Sequence, residues 1–179
     1  MANNFDTLLT AAPGSVVTLE PDYIVVNDGV SYLAAVEAKS VANPDKVLVF
    51  FDHNVPTGDP EGARVFGVIR DFAKKFGCRF IQAQGVAYQY MFKEVVLPGQ
   101  VVVGGGSHSA IFGANGALGF NVSPLELARV LETGKYQLIV PHTVIFRVEG
   151  KLKDGVSMMD AALTLLKNSK CVPGSIVKF

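Results

Sequence analysis

The sequence predicts an α/β fold, and three observations carry that expectation. Val47 to Phe51 is an unbroken apolar run, the pattern of a strand covered on both faces. Val101 to Val103 is a β-branched run that meets glycines at 104, 105 and 106, the pattern of a strand leaving its sheet for a loop. Between the two runs, Glu61 to Phe76 places Val65, Phe66, Ile69, Phe72, Ala73 and Phe76 at helical spacing, so strand alternates with helix. Loops beyond the strand ends of such sheets are where ligands bind.

Asn4 to Ala12 is expected as a short outer helix closed by Pro13-Gly14. Val16 to Leu19 and Tyr23 to Val26 read as strands separated by Glu20-Pro21-Asp22. Ser31 is expected to cap a helix through Lys39 with Leu33, Ala34 and Val36 on its apolar face. The helix from Glu61 is opened by an acidic residue, carries Lys74 and Lys75 in its last turn and is stopped by Gly77, in accord with its dipole. Cys78 to Gln82 is the next strand, and Gln84 to Gln89 follows as a polar strand end. Gly113, Gly116 and Gly119 suit close packing in a turn or helix start. Ser123, Pro124 and Glu126 form a capping box ahead of Leu127, Val130 and Leu131, and Gly134 ends that helix. Thr143 to Val148 alternates as a strand, Ser157 with Asp160 starts a helix to about Leu166, and Ser175 to Phe179 is a closing strand.

At 179 residues one domain spanning 1–179 is expected. Sixteen basic and sixteen acidic residues cancel, so no field draws the chain to nucleic acid or an anionic membrane. The 49% hydrophobic fraction against 18% charged leaves apolar surface for a partner to cover. Cys78 and Cys171 read as reduced thiols, the first residues lack a signal-peptide pattern, and no apolar run reaches membrane-spanning length. A soluble, cytoplasmic protein is the expectation.

Three strand ends carry Asp52-His53, Tyr88-Gln89 and Ser107-His108. Convergence of these loops would join an acid/base pair to glycine amides that hold carboxylate oxygens. Asp beside His sets the tautomer and basicity of the imidazole where the two side chains meet. The bland reading of the two histidine pairs is a loop-capping Asp52 and a turn Ser107, each beside a structural histidine. His142 at a strand start is taken as structural, and Tyr88 as a packing or gating residue, because an unperturbed phenol stays protonated at neutral pH. No dinucleotide or phosphate-loop glycine pattern is present.

Asp52-His53-Asn54-Val55-Pro56-Thr57, Gly85 to Gln89, Leu97-Pro98-Gly99, Gly106-Ser107-His108-Ser109, Gly113 to Gly119 and Val148 to Leu152 closely resemble, in order, the N-terminal part of the large subunit of 3-isopropylmalate dehydratase, within the aconitase family. The resemblance runs from about Val16 to the end of the chain. It implies a single three-layer domain, a mostly parallel sheet flanked by helices, like the first domain of aconitase-family enzymes. It also implies hydration and dehydration of hydroxy di- and tricarboxylic acids with a [4Fe-4S] cluster. Asp52 and His53 match the family's Asp-His pair, and Ser107 and His108 the last two residues of its Asp-Ser-His; Asp52, His53 and His108 are the expected catalytic residues, and Ser107, Gln89, Ser31 and Gly106 the expected substrate-binding ones.

The chain also departs from that pattern. Gly106 stands where the family has Asp ahead of Ser-His, Tyr88 where it has His ahead of Gln, and Val30 where the segment Asp28 to Ser31 would carry Thr. Cys78 and Cys171 lack the close spacing of cluster ligands. Two readings follow. In one, the chain is a component of an aconitase-like hydro-lyase, holding no metal or cofactor itself and completed by a cluster-bearing partner chain. In the other it is a stand-alone, non-catalytic domain, a homo-oligomer among its forms, that binds a small carboxylic acid or another protein.

Overall fold

The computed structural model describes residues 4–168 and 176–178. In chain order the elements are α1 (Asn4–Thr10), β1 (Val16–Leu19), β2 (Tyr23–Asn27), α2 (Tyr32–Glu37), β3 (Val47–Phe51), α3 (Pro60–Phe76), β4 (Arg79–Gln82), α4 (Ala87–Glu94), β5 (Val101–Gly104), β6 (Leu118–Asn121), α5 (Pro124–Thr133), β7 (Tyr136–Ile139), β8 (Thr143–Ile145), α6 (Met158–Asn168) and β9 (Ile176–Lys178). Short 3₁₀ turns cover Pro44–Lys46 and Ser109–Asn115. The chain divides into two compact units, Met1–Thr10 with Val17–Leu138, and Ala11–Val16 with Ile139–Phe179.

The first unit is the α/β body that the sequence predicts. Its sheet runs β4-β3-β2-β5-β6, with every neighbouring pair parallel. Residues alternate between faces along each strand, and both faces are covered. Val47, Val49 and Phe51 pack with α2, α3 and α5 residues such as Ala34, Ile69 and Leu131. Leu48 and Phe50 point the other way, to Tyr88 and Met91 of α4 and to Phe112 of the 3₁₀ turn. The result is three layers around a parallel sheet.

Gly77 and the Ser123–Glu126 box with Gly134 appear where the sequence predicts them, and Asp59 adds a cap that it does not. Asp59 accepts from the Gly62 N–H at 2.8 Å ahead of α3, and Gly77 closes that helix at φ 73°. Ser123 and Glu126 form the reciprocal capping box of α5, and Gly134 ends it at φ 67°. Elsewhere the local reading needs correction. α2 ends at Glu37 and buries Ala34 and Ala35, while Leu33 and Val36 face outward, because only small residues fit where α2 lies close on the sheet. Ser31 makes no cap and turns inward instead. Gln84 to Gln89 does not remain a loop, since α4 begins at Ala87. Leu118–Asn121 adds an edge strand, and Tyr136–Ile139 pairs with β1, neither expected from the sequence.

In the second unit β8 pairs in parallel with β9, from Thr143 opposite Ile176 to Ile145 opposite Lys178. The strand expected to reach Val148 stops at Ile145. Ser157 caps α6, its hydroxyl accepting the Asp160 N–H at 3.3 Å and donating to Asp160 Oδ2 at 2.6 Å. Cys171, Ser175 and Phe179 lie outside the described residues.

Candidate functional site

Strand order reverses at β2 and β5. From β2 the chain steps outward to β3 and β4, then returns to β5 on the other side and continues to β6. Connections leave these neighbours toward opposite faces, α2 after β2 on one and the 3₁₀ turn Ser109–Asn115 after β5 on the other, and such a switch point is where a ligand crevice is expected beyond the carboxyl ends. Asp28 follows β2, Asp52 and His53 follow β3, and glycines 105 and 106 lead from β5 to Ser107 and His108.

Asp28 is the anchor of the first group. Its side chain is 0% exposed, and its carboxylate accepts the backbone N–H groups of Asp52 at 2.9 Å, His53 at 3.0 Å and Asn54 at 2.9 Å. Those bonds wrap the loop after β3 around one buried charge. His53 Nδ1 lies 3.2 Å from Asp28 Oδ1 and 2.9 Å from Asp52 Oδ1, so this nitrogen carries the proton and donates. Asp52 Oδ2 accepts the Ala87 N–H at 2.6 Å and thereby caps α4 from a distant loop. The His53 side chain is 52% exposed, and Nε2 remains for a ligand. Gly29 permits this placement, since a Cβ there would stand 3.2 Å from His53 Nε2.

The two carboxylates are polarised apart. Burial pushes Asp28 upward, but its three backbone donors outweigh that and hold its carboxyl below the ordinary range. Burial pushes Asp52 upward, and hydrogen bonding with Asp28 adds to the rise, against the Ala87 N–H and the charge of His53. Burial alone would lower His53, but the charges and hydrogen bonds of Asp52 and Asp28 raise it above the usual histidine value. The imidazolium form therefore persists to higher pH, with both ring nitrogens as donors.

In the second group, Ser107 Oγ and His108 Nδ1 are 3.2 Å apart and both residues are exposed. Tyr88 is 4% exposed, its ring 6.1 Å from that of His108 and its hydroxyl against Gly106. The first turn of α4 thus touches both groups, through the Ala87 N–H on Asp52 and through Tyr88 beside His108. Gln89 is exposed and lines a separate surface hollow of about 280 Å³ with Gln84, Lys93 and Glu94. Ser31 is buried, and its hydroxyl is taken by Asn27, accepting from the Asn27 N–H at 2.7 Å and donating to Asn27 Oδ1 at 2.6 Å. Its Cβ lies against Gly105, so it braces the crevice floor. His142 belongs to the second unit and is exposed. Asp28, which the family resemblance covers only within the segment Asp28 to Ser31, is not among the site residues that the sequence names.

One ligand atom each from Asp28, Asp52 and His53 falls within 4.8 Å of the others. Their oxygens are already spent on N–H donors, so the group is built to hold a proton rather than a metal ion. An iron–sulfur cluster does not fit the residues present. The sequence has two cysteines, where such a cluster takes three or four thiolates. Cys78 is buried in the core, and burial pushes its thiol up to about 11, away from the thiolate form. Among the described residues, no helix is long and apolar enough to cross a membrane.

The family model described as the aconitase family (aconitate hydratase) matches residues 10–179. A probable 3-isopropylmalate dehydratase large subunit of Methanothermobacter thermautotrophicus is 34% identical over 161 residues, covering 86% of this chain and 38% of that protein. A methanogen homoaconitase large subunit of Methanocaldococcus jannaschii is 33% identical over 160 residues, with 86% of this chain and 38% of the relative covered. A homoaconitase large subunit of Thermus thermophilus is also 33% identical over 160 residues, with the same 86% and 38% coverage. The chain spans about two fifths of the length of the curated relatives it matches.

Proposed function

The chain belongs to the aconitase family, and from that premise we propose that it supplies one part of a hydro-lyase site for hydroxy di- or tricarboxylic acids, completed by a second, cluster-bearing polypeptide. The observation that supports this best is the Asp28–Asp52–His53 group at the carboxyl edge of the sheet, where strand order reverses. In this reading Asp52 and Asp28 keep Nδ1 protonated and the ring fixed, and His53 Nε2 donates its proton to a departing hydroxyl oxygen. His108 and Ser107 hold a substrate carboxylate with the backbone N–H of Gly106, while Gln89, in its separate hollow, stands outside this contact. Ser31 acts through Asn27, as a brace. The relatives' names call them large subunits, a term that implies a companion chain. A cytoplasmic setting belongs to the same reading.

A second reading, a domain that binds a carboxylate or a protein without catalysis, is favoured by one observation. Tyr88 is packed against Gly106 where the family resemblance expects a His and an Asp. Anaerobic purification of the tagged chain from its own cells, with native mass and visible absorbance read on one peak, separates the two. A heavier complex with iron–sulfur absorbance, whose dehydratase activity falls at least a hundredfold in His53→Gln, supports the split site. A colourless monomer or homo-oligomer sinks it in favour of the binding domain.

A further inference from the structure

Tyr88 and Gly106 depart from the family pattern 18 positions apart in sequence, yet they meet in space. A Cβ built on Gly106 would land on the Tyr88 hydroxyl and lie 3.0 Å from Cζ and 3.1 Å from Cε2 of the same ring. A Cβ on Gly104 would lie 3.4 Å from that hydroxyl and 3.2 Å from Ser109 Oγ. The phenol is therefore threaded against a stretch of backbone that tolerates it because side chains are missing. Phe112 and His108 flank the ring, with centroids at 6.0 and 6.1 Å. The hydroxyl is buried beside Ser109 and Gly106, where the Ser109 hydroxyl donates to the Gly106 carbonyl at 3.2 Å, and makes no well-aligned hydrogen bond of its own.

We infer that Tyr88 and Gly106 are a matched pair: the phenol fills the space that any side chain at 106 requires and fixes the turn that presents Ser107 and His108, making Tyr88 a positioning residue for that loop. The two departures are then one exchange. In its place the loop offers a ligand neutral donors, the Ser107 hydroxyl and backbone N–H groups, and leaves proton transfer to the Asp28–Asp52–His53 group. That last consequence rests on the hydro-lyase reading, whereas the pairing itself does not.

The test is a thermal and spectroscopic cycle on the whole 179-residue chain, with Gly106→Ala, Tyr88→Phe and the double variant. Gly106→Ala is expected to lower Tm by about 5 °C or more, the cost of overpacking at this chain length. Tyr88→Phe should hold Tm within about 2 °C of the parent, since it removes only an unpaired hydroxyl. In the double variant the atom nearest the new methyl is gone, and less than half of the Gly106→Ala loss should remain. The His108 ring resonances should move in Gly106→Ala and return toward the parent positions in the double variant. An equal Tm loss in both backgrounds, no loss in Gly106→Ala, or unmoved His108 resonances would each overturn the pairing. If Gly106→Ala does not fold, recovery of a cooperative melt in the double variant supports the pair, and failure of both overturns it. Malonate titration of the same samples keeps the two ideas apart, because an intact cycle without malonate binding counts against carboxylate binding by this chain alone and leaves the pair standing.

Discussion

At His53 the two ring nitrogens have different tasks, and a residue 25 positions earlier enforces the division. Asp28 spends its buried carboxylate on the backbone of the loop and on Nδ1, which leaves Nε2 as the exposed donor. Asp28→Asn replaces one acceptor oxygen with a donor that faces existing N–H groups. We expect the His53 titration midpoint, followed by NMR, to move down toward the ordinary histidine value, and malonate affinity to weaken about tenfold, or ~1.4 kcal/mol. An unmoved midpoint would show that Asp52 alone controls the ring. Asp52-His53 was legible in the sequence because the pair sits beside an unmistakable buried strand. Asp28 was not, because its partners lie 24 to 26 residues away and its own surroundings, Asn27-Asp28-Gly29, read as an ordinary turn.

Among elements, α3 and α5 announce both ends locally, with side-chain caps ahead and a left-handed glycine behind. Ser123→Ala should therefore cost about 1 kcal/mol, measured as a shift in the denaturant midpoint with an unchanged slope. α4 could not be read in this way. Val86 at its N-cap makes no side-chain bond, and the Ala87 N–H is satisfied by Asp52 from 35 residues upstream. A cap supplied across the fold leaves no mark in the nearby sequence. α2 was misread for a related reason. Its periodic Leu33 and Val36 suggested a buried face, but the tight approach of α2 to the sheet admits alanines and turns the larger residues outward. β6 escaped notice because Gly119, whose Cβ would strike the Ser109 carbonyl, breaks the run of strand-forming residues.

Across the whole molecule, charge state links the site to stability. Asp28 is held below its ordinary value, so its contribution is present above the ordinary carboxylate pKa and is lost as pH falls through the folded value. His53 is raised, so its contribution is complete below the ordinary histidine pKa and fades as pH rises through the folded value. Melts across about pH 6 to 8 should show a small fall in Tm on the alkaline side that His53→Gln abolishes. A fall that persists in His53→Gln would place its origin elsewhere. The parallel sheet has a further consequence for handling the protein. With five strands pointing one way, all the polar site loops gather on one rim, and the opposite rim is only stitched shut. There Asp22 accepts the Val101 N–H at 2.8 Å, Lys46 Nζ donates to the Pro21 carbonyl at 3.0 Å, and the Gly99 N–H donates to the Gly116 carbonyl at 2.9 Å. That rim is the place to attach a dye, a biotin or a solid support, because a molecule tethered by it keeps the Asp28–Asp52–His53 edge turned toward the solution.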